Sequence, residues 1–220
     1  MMGRSHFVSG IVAFEATAAQ MHYTPTQAIT GAIVVSSAAL LPDIDHSRAT
    51  ISRTYGPITV GASRLIATLA GGHRRGTHSL AGIGLLGLIA QACVMYRHQL
   101  AGMVVLSAIL IVTLAAGVRV LRIPGWIDDM APIPVVIAGV CLTNIDLTAV
   151  PVALVIGCLA HVLGDCLTNS GCPILWPLSD ERLKFGLFKT GKRFEKWVVF
   201  PVLVLAAYVL GAWKVWATIT

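Results

Sequence analysis

The chain has 220 residues, of which 56% are hydrophobic and only 12% are charged, and its mean hydropathy is +0.79. Soluble domains carry about 25% charged residues, so this composition excludes an ordinary soluble domain and favours one membrane-embedded domain over residues 1–220. The net charge of +6 does not indicate nucleic-acid binding, because eleven of the sixteen basic residues lie in two stretches, 43–79 and 164–196.

Seven apolar segments follow one another along the chain and predict helices. The segment 100–118 has 19 residues without a charge, close to the roughly 20 residues that cross a bilayer. The first segment is the weakest of the seven because it contains Glu15. We therefore predict an all-α fold, a polytopic membrane bundle of about five to seven apolar helices. In chain order the segments are 7–21, 28–41, 80–96, 100–118, 132–142, 150–163 and 197–213.

Basic loops orient membrane proteins, because Lys and Arg are enriched on the cytoplasmic side. The stretches 43–79 and 164–196 are therefore predicted to be cytoplasmic, and the apolar segments then alternate across the membrane. This order brings the histidines and acids suited to metal binding to the cytoplasmic face, although they are spread over 160 positions of the chain. The candidate metal ligands are His6, Asp43, Asp45, His73, His78, His161 and Asp165.

The acids Asp43 and Asp45 follow Pro42, which we expect to end the preceding helix. In an extended segment the two carboxylates point the same way, because side chains alternate with a period of two. One or both then reach a metal ion, and one can bridge two ions. Acids at a helix C-terminus oppose the helix dipole, so capping does not explain them. The next residue, His46, is either a further ligand or a boundary residue.

Two further histidines lie in the segment 72–79 (GHRRGTHS), which precedes the apolar segment 80–96. We expect Thr77 or Ser79 to cap the helix that begins near Leu80. A helix N-terminus disfavours positive charge, so a histidine at this position is expected in its neutral form. That form is the one that binds a metal ion.

Arg74 and Arg75 lie between these two histidines. Arginine does not bind cations, but its guanidinium group matches the oxygens of phosphate and carboxylate groups. We expect both arginines to neutralise charge that develops on an anionic substrate. The alternative is that they only mark a cytoplasmic loop.

His161 and Asp165 are four residues apart at the end of an apolar segment, so they share one face of a helix. Such a pair either chelates one ion or combines a ligand with a carboxylate that orients it. An ionisable group inside an apolar helix of a membrane protein is expected to be functional. His6 is a candidate further ligand at the same membrane face, and Cys166 and Cys172 are candidate soft ligands nearby.

These motifs resemble those of the YdjM-like family, which comprises bacterial, inner-membrane-associated, metal-dependent hydrolases, some of them under LexA control. The likeness extends over roughly residues 5–200, and His6 fits it. One departure is that Arg75 and Gly76 stand where the family has glycine and an apolar residue, so the loop presents an extra cation. The motifs are LLPDIDH at 40–46, GHR at 72–74, THS at 77–79, His161 with Asp165, and LWP at 175–177.

The resemblance implies a multi-pass protein of the bacterial inner membrane that hydrolyses a substrate with the help of metal. Together with the candidate ligands, it predicts one or two divalent ions, Zn²⁺ being the expected metal. Zinc lowers the pKa of a bound water to near ~7 and thereby supplies the nucleophile. A looser similarity to the zinc phospholipase C and P1 nuclease group favours an anionic phosphoester as the substrate, with lipids included.

Two other functions use the same residues. A membrane transporter or metal-handling protein would bind metal without catalysis, and it would need polar groups near the middle of the membrane, where only Glu15 and Gln91 are predicted. A membrane scaffold would hold a structural ion that four protein ligands enclose, whereas a catalytic site keeps a position for water. The sequence leaves the substrate, the number of ions and the oligomeric state open.

Overall fold

The computed structural model describes residues 1–18, 25–121, 132–137, 139–140 and 146–219, and these residues form helices joined by turns and by one long irregular segment, 167–192, with no strand among them. The predicted all-α fold is thereby confirmed. Short 3₁₀ helices cover Leu41–Asp45, Ile51–Arg53 and Gly76–His78, and a π-helical turn, Glu195–Val199, leads into the last helix. The α-helices are α1 (Gly3–Ala18), α2 (Pro25–Ala38), α3 (Pro57–Leu69), α4 (Leu80–Met95), α5 (Leu100–Leu121), α6 (Pro132–Ile137), α7 (Val150–Cys166) and α8 (Phe200–Ile219).

Each of the seven predicted apolar segments overlaps one of these helices. Positions 19–21, 138, 141 and 142 of the predicted segments lie outside the described residues. Within the described part of the chain, three stretches are long and apolar enough to cross a membrane by themselves. They are Gln27–Asp45, Leu100–Leu121 and Glu195–Trp213.

Helix α7 lies at the centre of the bundle, against α1, α2 and α4. Glycines allow close contact: a Cβ atom added at Gly157 of α7 would lie 2.5 Å from the carbonyl oxygen of Val35, and one added at Gly10 of α1 would lie 2.8 Å from Ser36 Cα. Small residues at helix contacts are the usual means by which membrane helices approach one another. This packing brings the end of α7 next to the start of α1 and to the chain that leaves α2.

The chain after α2 differs from the extended segment considered above. Helix α2 ends at Ala38, and Leu41–Asp45 forms a 3₁₀ helix with proline in its first turn. Proline disfavours the α-helical conformation of the residue before it, here Leu41, so α2 ends earlier than Pro42 itself. Asp43 and Asp45 are therefore placed by a tight turn and not by the alternation of a strand.

Helix α3 lies in the stretch 43–79, where the sequence patterns predict only a loop. Its first residue is a proline, which suits the start of a helix. It buries the polar residues Thr59 and Ser63 and exposes large apolar ones, which reverses the arrangement of a helix on a soluble protein. The outer face of α3 is therefore suited to contact with lipid. Its exposed apolar side chains include Ile58, Leu65 and Leu69.

Candidate metal centre

Four segments of the chain bring histidine and aspartate side chains together at one end of α7. We call this set the His/Asp cluster. Apart from Asp43 and His73, its members are buried. The predicted convergence of these residues is thus present in the structure. The cluster comprises His6 of α1, Asp43 and Asp45 of the 3₁₀ helix after α2, His73 and His78 of the chain before α4, and His161 and Asp165 of α7.

The cluster contains three groups of side chains whose ligand atoms lie within 4.8 Å of one another. Neighbouring groups share a residue, which would allow one ion or two adjacent ions. The groups are His6 with His161 and Asp165, Asp43 with His78 and His161, and Asp43 with Asp45 and His73.

Four atoms at the centre of the cluster have a spacing close to that of a metal site. Asp43 Oδ1 lies 3.8 Å from both His78 Nε2 and His161 Nε2. Asp165 Oδ2 lies 4.0 Å from His78 Nε2 and 3.8 Å from His161 Nε2. Ligands at about 2.1 Å from a tetrahedral zinc ion are about 3.4 Å apart. The distances from Asp43 Oδ1 to the two histidines exceed this spacing by about 0.4 Å, so a small inward shift of Asp43, His78 and His161 would let them hold one ion.

His161 is held in the orientation and tautomer that a metal ligand needs. Its Nδ1 lies 2.8 Å from the carbonyl oxygen of Ala39, which can only accept a hydrogen bond, so Nδ1 carries the proton. Its Nε2 is then the nitrogen with a free lone pair, and it is buried without a hydrogen-bond partner. A buried polar atom left without a partner is costly, and a bound ion would satisfy it.

His78 is oriented in the same sense by a threonine. Thr77 Oγ1 donates a hydrogen bond to Asp45 Oδ2 at 2.6 Å, so it accepts one from Nδ1 of His78 at 2.9 Å. His78 Nε2 is therefore also a buried acceptor without a hydrogen-bond partner. The predicted helix cap is supplied by Ser79, whose hydroxyl accepts the N–H of Gly82 at 3.0 Å. Thr77 supports the histidine instead.

Asp45 interacts with several donors besides the threonine hydroxyl. Its Oδ2 accepts the backbone N–H of Arg74 at 2.9 Å, and its Oδ1 lies 2.7 Å from Nδ1 of His73. These contacts place Asp45 as a carboxylate that orients the loop 72–79. His73 is partly exposed and stacks on His46, with ring centroids 4.6 Å apart. Asp45 and His73 border the outer, more exposed side of the cluster.

Asp165 and His6 form the inner side of the cluster. Asp165 is fully buried, and its oxygens contact the amino group of Met1 and Nη2 of Arg74, the latter at 2.6 Å. His6 Nε2 lies 3.4 Å from Asp165 Oδ1. The ring of His6 stacks on that of His161, with centroids 3.6 Å apart. The histidine before the first apolar segment thus lies inside the cluster.

The structure separates the two arginines of the loop. Arg74 has φ of +61°, the only positive φ of a non-glycine residue in the described ranges, and its N–H is held by Asp45. This conformation turns its guanidinium group towards Asp165, and Nη1 is buried without a hydrogen-bond partner. Arg75 is exposed and pairs with Asp180, its Nε lying 3.3 Å from Oδ1. Arg75 therefore points away from the cluster.

Sequence patterns do not identify Glu195, which is fully buried. Its carboxylate accepts the backbone N–H groups of Met2 at 2.5 Å and of Gly191 at 2.6 Å. These bonds tie the start of α1, and with it His6, to the turn before α8. The signal in the sequence is an acid placed just before the apolar segment 197–213.

The two cysteines near the cluster interact with each other. A hydrogen bond with Cys166, together with burial, raises the pKa of the Cys172 thiol above its usual range. The thiolate, not the thiol, is the form that binds metal. None of the candidate ligand groups among the described residues includes a cysteine.

Comparison with known proteins agrees with the resemblance noted above. The family described as YdjM inner membrane protein matches residues 1–219, a range that includes the whole His/Asp cluster. No curated protein and no solved structure matches the chain. The looser similarity to the zinc phospholipase C and P1 nuclease group stays a prediction. The chain therefore belongs to the YdjM family of inner membrane proteins.

Proposed function

We propose that this protein is a multi-pass inner-membrane hydrolase that cleaves a phosphoester at the cytoplasmic face with one or two divalent ions, Zn²⁺ foremost. One observation carries the proposal. His78 Nε2 and His161 Nε2 are buried acceptors without hydrogen-bond partners, and both lie 3.8 Å from Asp43 Oδ1. Because each ring is fixed through its Nδ1, neither can turn to find another partner without losing a hydrogen bond.

The residues fit a divalent ion in number and type. Asp43, His78 and His161 would hold a first ion, with Asp165 close to both histidines. A bound ion of this kind supplies Lewis acidity and lowers the pKa of a water molecule to about 7. The side chain of Asp43 is 22% exposed, whereas the other three are fully buried. Access on the Asp43 side favours a catalytic centre over an enclosed structural one.

Arg74 supports an anionic ester as the substrate. Its Nη2 is used by Asp165, while Nη1 is a buried donor without a partner. A guanidinium group with a free N–H beside a carboxylate-bound ion is suited to bind a phosphoryl oxygen. Arg74 would therefore orient the phosphoester and neutralise charge that develops on it during cleavage.

The cytoplasmic location rests on charge. The stretches 43–79 and 164–196 hold eleven of the sixteen basic residues, and both border the cluster. The positive-inside rule assigns such stretches to the cytoplasm. This orientation would present the metal centre to phosphoesters of the cytoplasm or of the inner leaflet.

The experiment that tests the proposal measures metal content and ester hydrolysis in the same samples. Wild-type protein is compared with His78→Ala, His161→Ala and the control His98→Ala, which removes an exposed histidine outside the cluster. We expect the two cluster variants to lose bound metal and hydrolysis together, and His98→Ala to keep both. Metal content at the parent level in both cluster variants would refute the site. Metal binding without hydrolysis of any phosphoester would favour the metal-handling alternative.

A second comparison tests the role of Arg74 alone. Arg74→Ala should lower the rate of hydrolysis about 10²–10³-fold, the usual cost of losing one charge contact to a transition state. Arg75→Ala should keep the parent rate, because Arg75 pairs with Asp180 on the surface. Equal rates for the two variants would contradict the assignment. Metal content is measured alongside, since Arg74 also contacts Asp165.

A further inference from the structure

A large apolar cavity lies between α3, α4 and α5. Its volume is about 600 Å³, within the range of small-molecule sites. Nearly all of its lining is aliphatic, and it includes Thr77 at one end. Its wall includes Ile66 and Leu69 of α3, Leu86 and Ile89 of α4, and Ala108 and Ile109 of α5.

Part of the lining of this cavity comes from residues next to members of the His/Asp cluster in the chain. Pro42 and Ile44 line the cavity and flank Asp43 in the chain. Thr77 lines it as well, and its hydroxyl holds the ring of His78. The apolar space is therefore adjacent to the two segments that carry Asp43 and His78.

The other side of the cavity is bounded by helices whose outer faces are apolar. α3 exposes Ile58 and Leu65, and α4 exposes Leu88, and none of these three lines the cavity. α3 has 13 residues and is about 20 Å long, too short to cross a bilayer of about 30 Å. A short helix with an apolar outer face lies along a membrane and not across it. The outer side of the cavity is therefore suited to contact with the hydrocarbon of the bilayer.

We infer that this cavity binds the hydrocarbon chain of the substrate, so that the substrate is a phosphoester lipid with its head group at the His/Asp cluster. The inference rests on the proposed hydrolase function and specifies its substrate. In the reaction the oxygen of one water bonds to phosphorus and the bond from phosphorus to the leaving alcohol breaks. The proton released by the water ends on that alcohol.

The hydrocarbon chain of the substrate should contribute to binding in proportion to its length. A methylene group moved from water into an apolar site gains about 0.8 kcal/mol, or about fourfold in binding. Water-soluble substrates reveal this effect, because a chain already dissolved in a bilayer gains little on entering the cavity. Alkyl 4-nitrophenyl phosphodiesters with chains of two to eight carbons are suitable probes.

The test compares the chain-length dependence of kcat/KM in the metal-loaded, full-length protein and two variants. Ala108→Trp fills the cavity, and Ala101→Trp adds the same bulk to an exposed alanine of α5 outside it. We expect kcat/KM to rise up to about fourfold per methylene in the wild type and in Ala101→Trp. The dependence should be lost in Ala108→Trp. If Ala108→Trp does not fold, the dependence of kcat/KM on chain length in the wild type still tests the inference.

Failure of this inference and failure of the proposed function give different results. If the protein hydrolyses these esters but kcat/KM does not change with the length of the alkyl chain, the inference is overturned and the proposed function stays intact. A second copy of the protein is then the next occupant of the cavity to test, by cross-linking. If kcat/KM rises with alkyl chain length in Ala108→Trp as it does in the wild type, the inference is also overturned, because the alkyl chain then binds outside the cavity. Absence of metal-dependent hydrolysis of every ester refutes the proposed function, and the inference with it.

Discussion

Thr77→Val tests whether the hydrogen bonds around the His/Asp cluster prepare it for a metal ion. The change replaces a hydroxyl by a methyl group of similar size. It removes the bond donated to Asp45 at 2.6 Å and the one accepted from His78 at 2.9 Å. The His78 ring can then rotate or change tautomer, either of which misplaces the lone pair of Nε2. The candidate ligands themselves are unchanged.

Groups that orient metal-binding histidines typically contribute 10–100-fold to metal affinity. A loss of this size corresponds to about 1.4–2.7 kcal/mol. The fold should persist, because Asp45 keeps the N–H of Arg74 and the contact with His73. We therefore expect weaker metal binding in a protein that still folds.

Competition with a chelator of known affinity measures the effect in purified protein. Thr77→Ser keeps the hydroxyl and should bind metal nearly as the parent does. Thr113→Val is the matched control, because Thr113 is a buried threonine of α5 whose hydroxyl donates to Ile109 O, at 2.6 Å, within its own helix. Parent affinity in Thr77→Val, or an equal loss in Thr113→Val, would refute the reasoning.

Three further predictions concern packing, the anchoring of α1 and the membrane orientation. Gly157→Val should destabilise the protein by about 1–3 kcal/mol in thermal unfolding, because its side chain would collide with α2, whereas Gly84→Val, with open space around it, should not. Glu195→Gln should lower the melting temperature, because one backbone N–H then faces an amide N–H₂, at a cost of about 1–3 kcal/mol. Cysteines introduced at Arg64 and Lys189 should resist a membrane-impermeant reagent added to intact cells, and labelling of either would reverse the proposed orientation.

The apolar segments and the membership of the cluster could be predicted because each depends on residue types and their order. Long uncharged runs indicate helices, and His161 with Asp165 share a helix face by their spacing alone. Helix α3 could not be predicted in this way. Its exposed face is largely apolar, with Arg64 as an exception, and its buried face contains Ser63 and Thr59, so its pattern does not match that of a helix packed on a soluble core.

The roles within the cluster depend on contacts between distant segments, which a single sequence does not contain. Arg74 and Arg75 are adjacent and chemically equal, yet only Arg74 reaches the cluster. The difference arises from the positive φ of Arg74, which is held by a hydrogen bond to Asp45, 29 residues earlier in the chain. Thr77 similarly supports its neighbour only because the same carboxylate is present to accept its proton.

The charges of the cluster would let the proposed anionic substrate bind among so many carboxylates once an ion is present. Asp43, Asp45 and Asp165 converge on a largely buried region, where Arg74 and the Met1 amino group supply the opposing charges. The carboxylates remain in excess, and excess charge without a partner is costly to bury. A divalent ion would turn this negative excess into a positive one. The loaded centre would then attract a phosphoester, and the unpaired Nη1 of Arg74 would fix the orientation in which that ester binds.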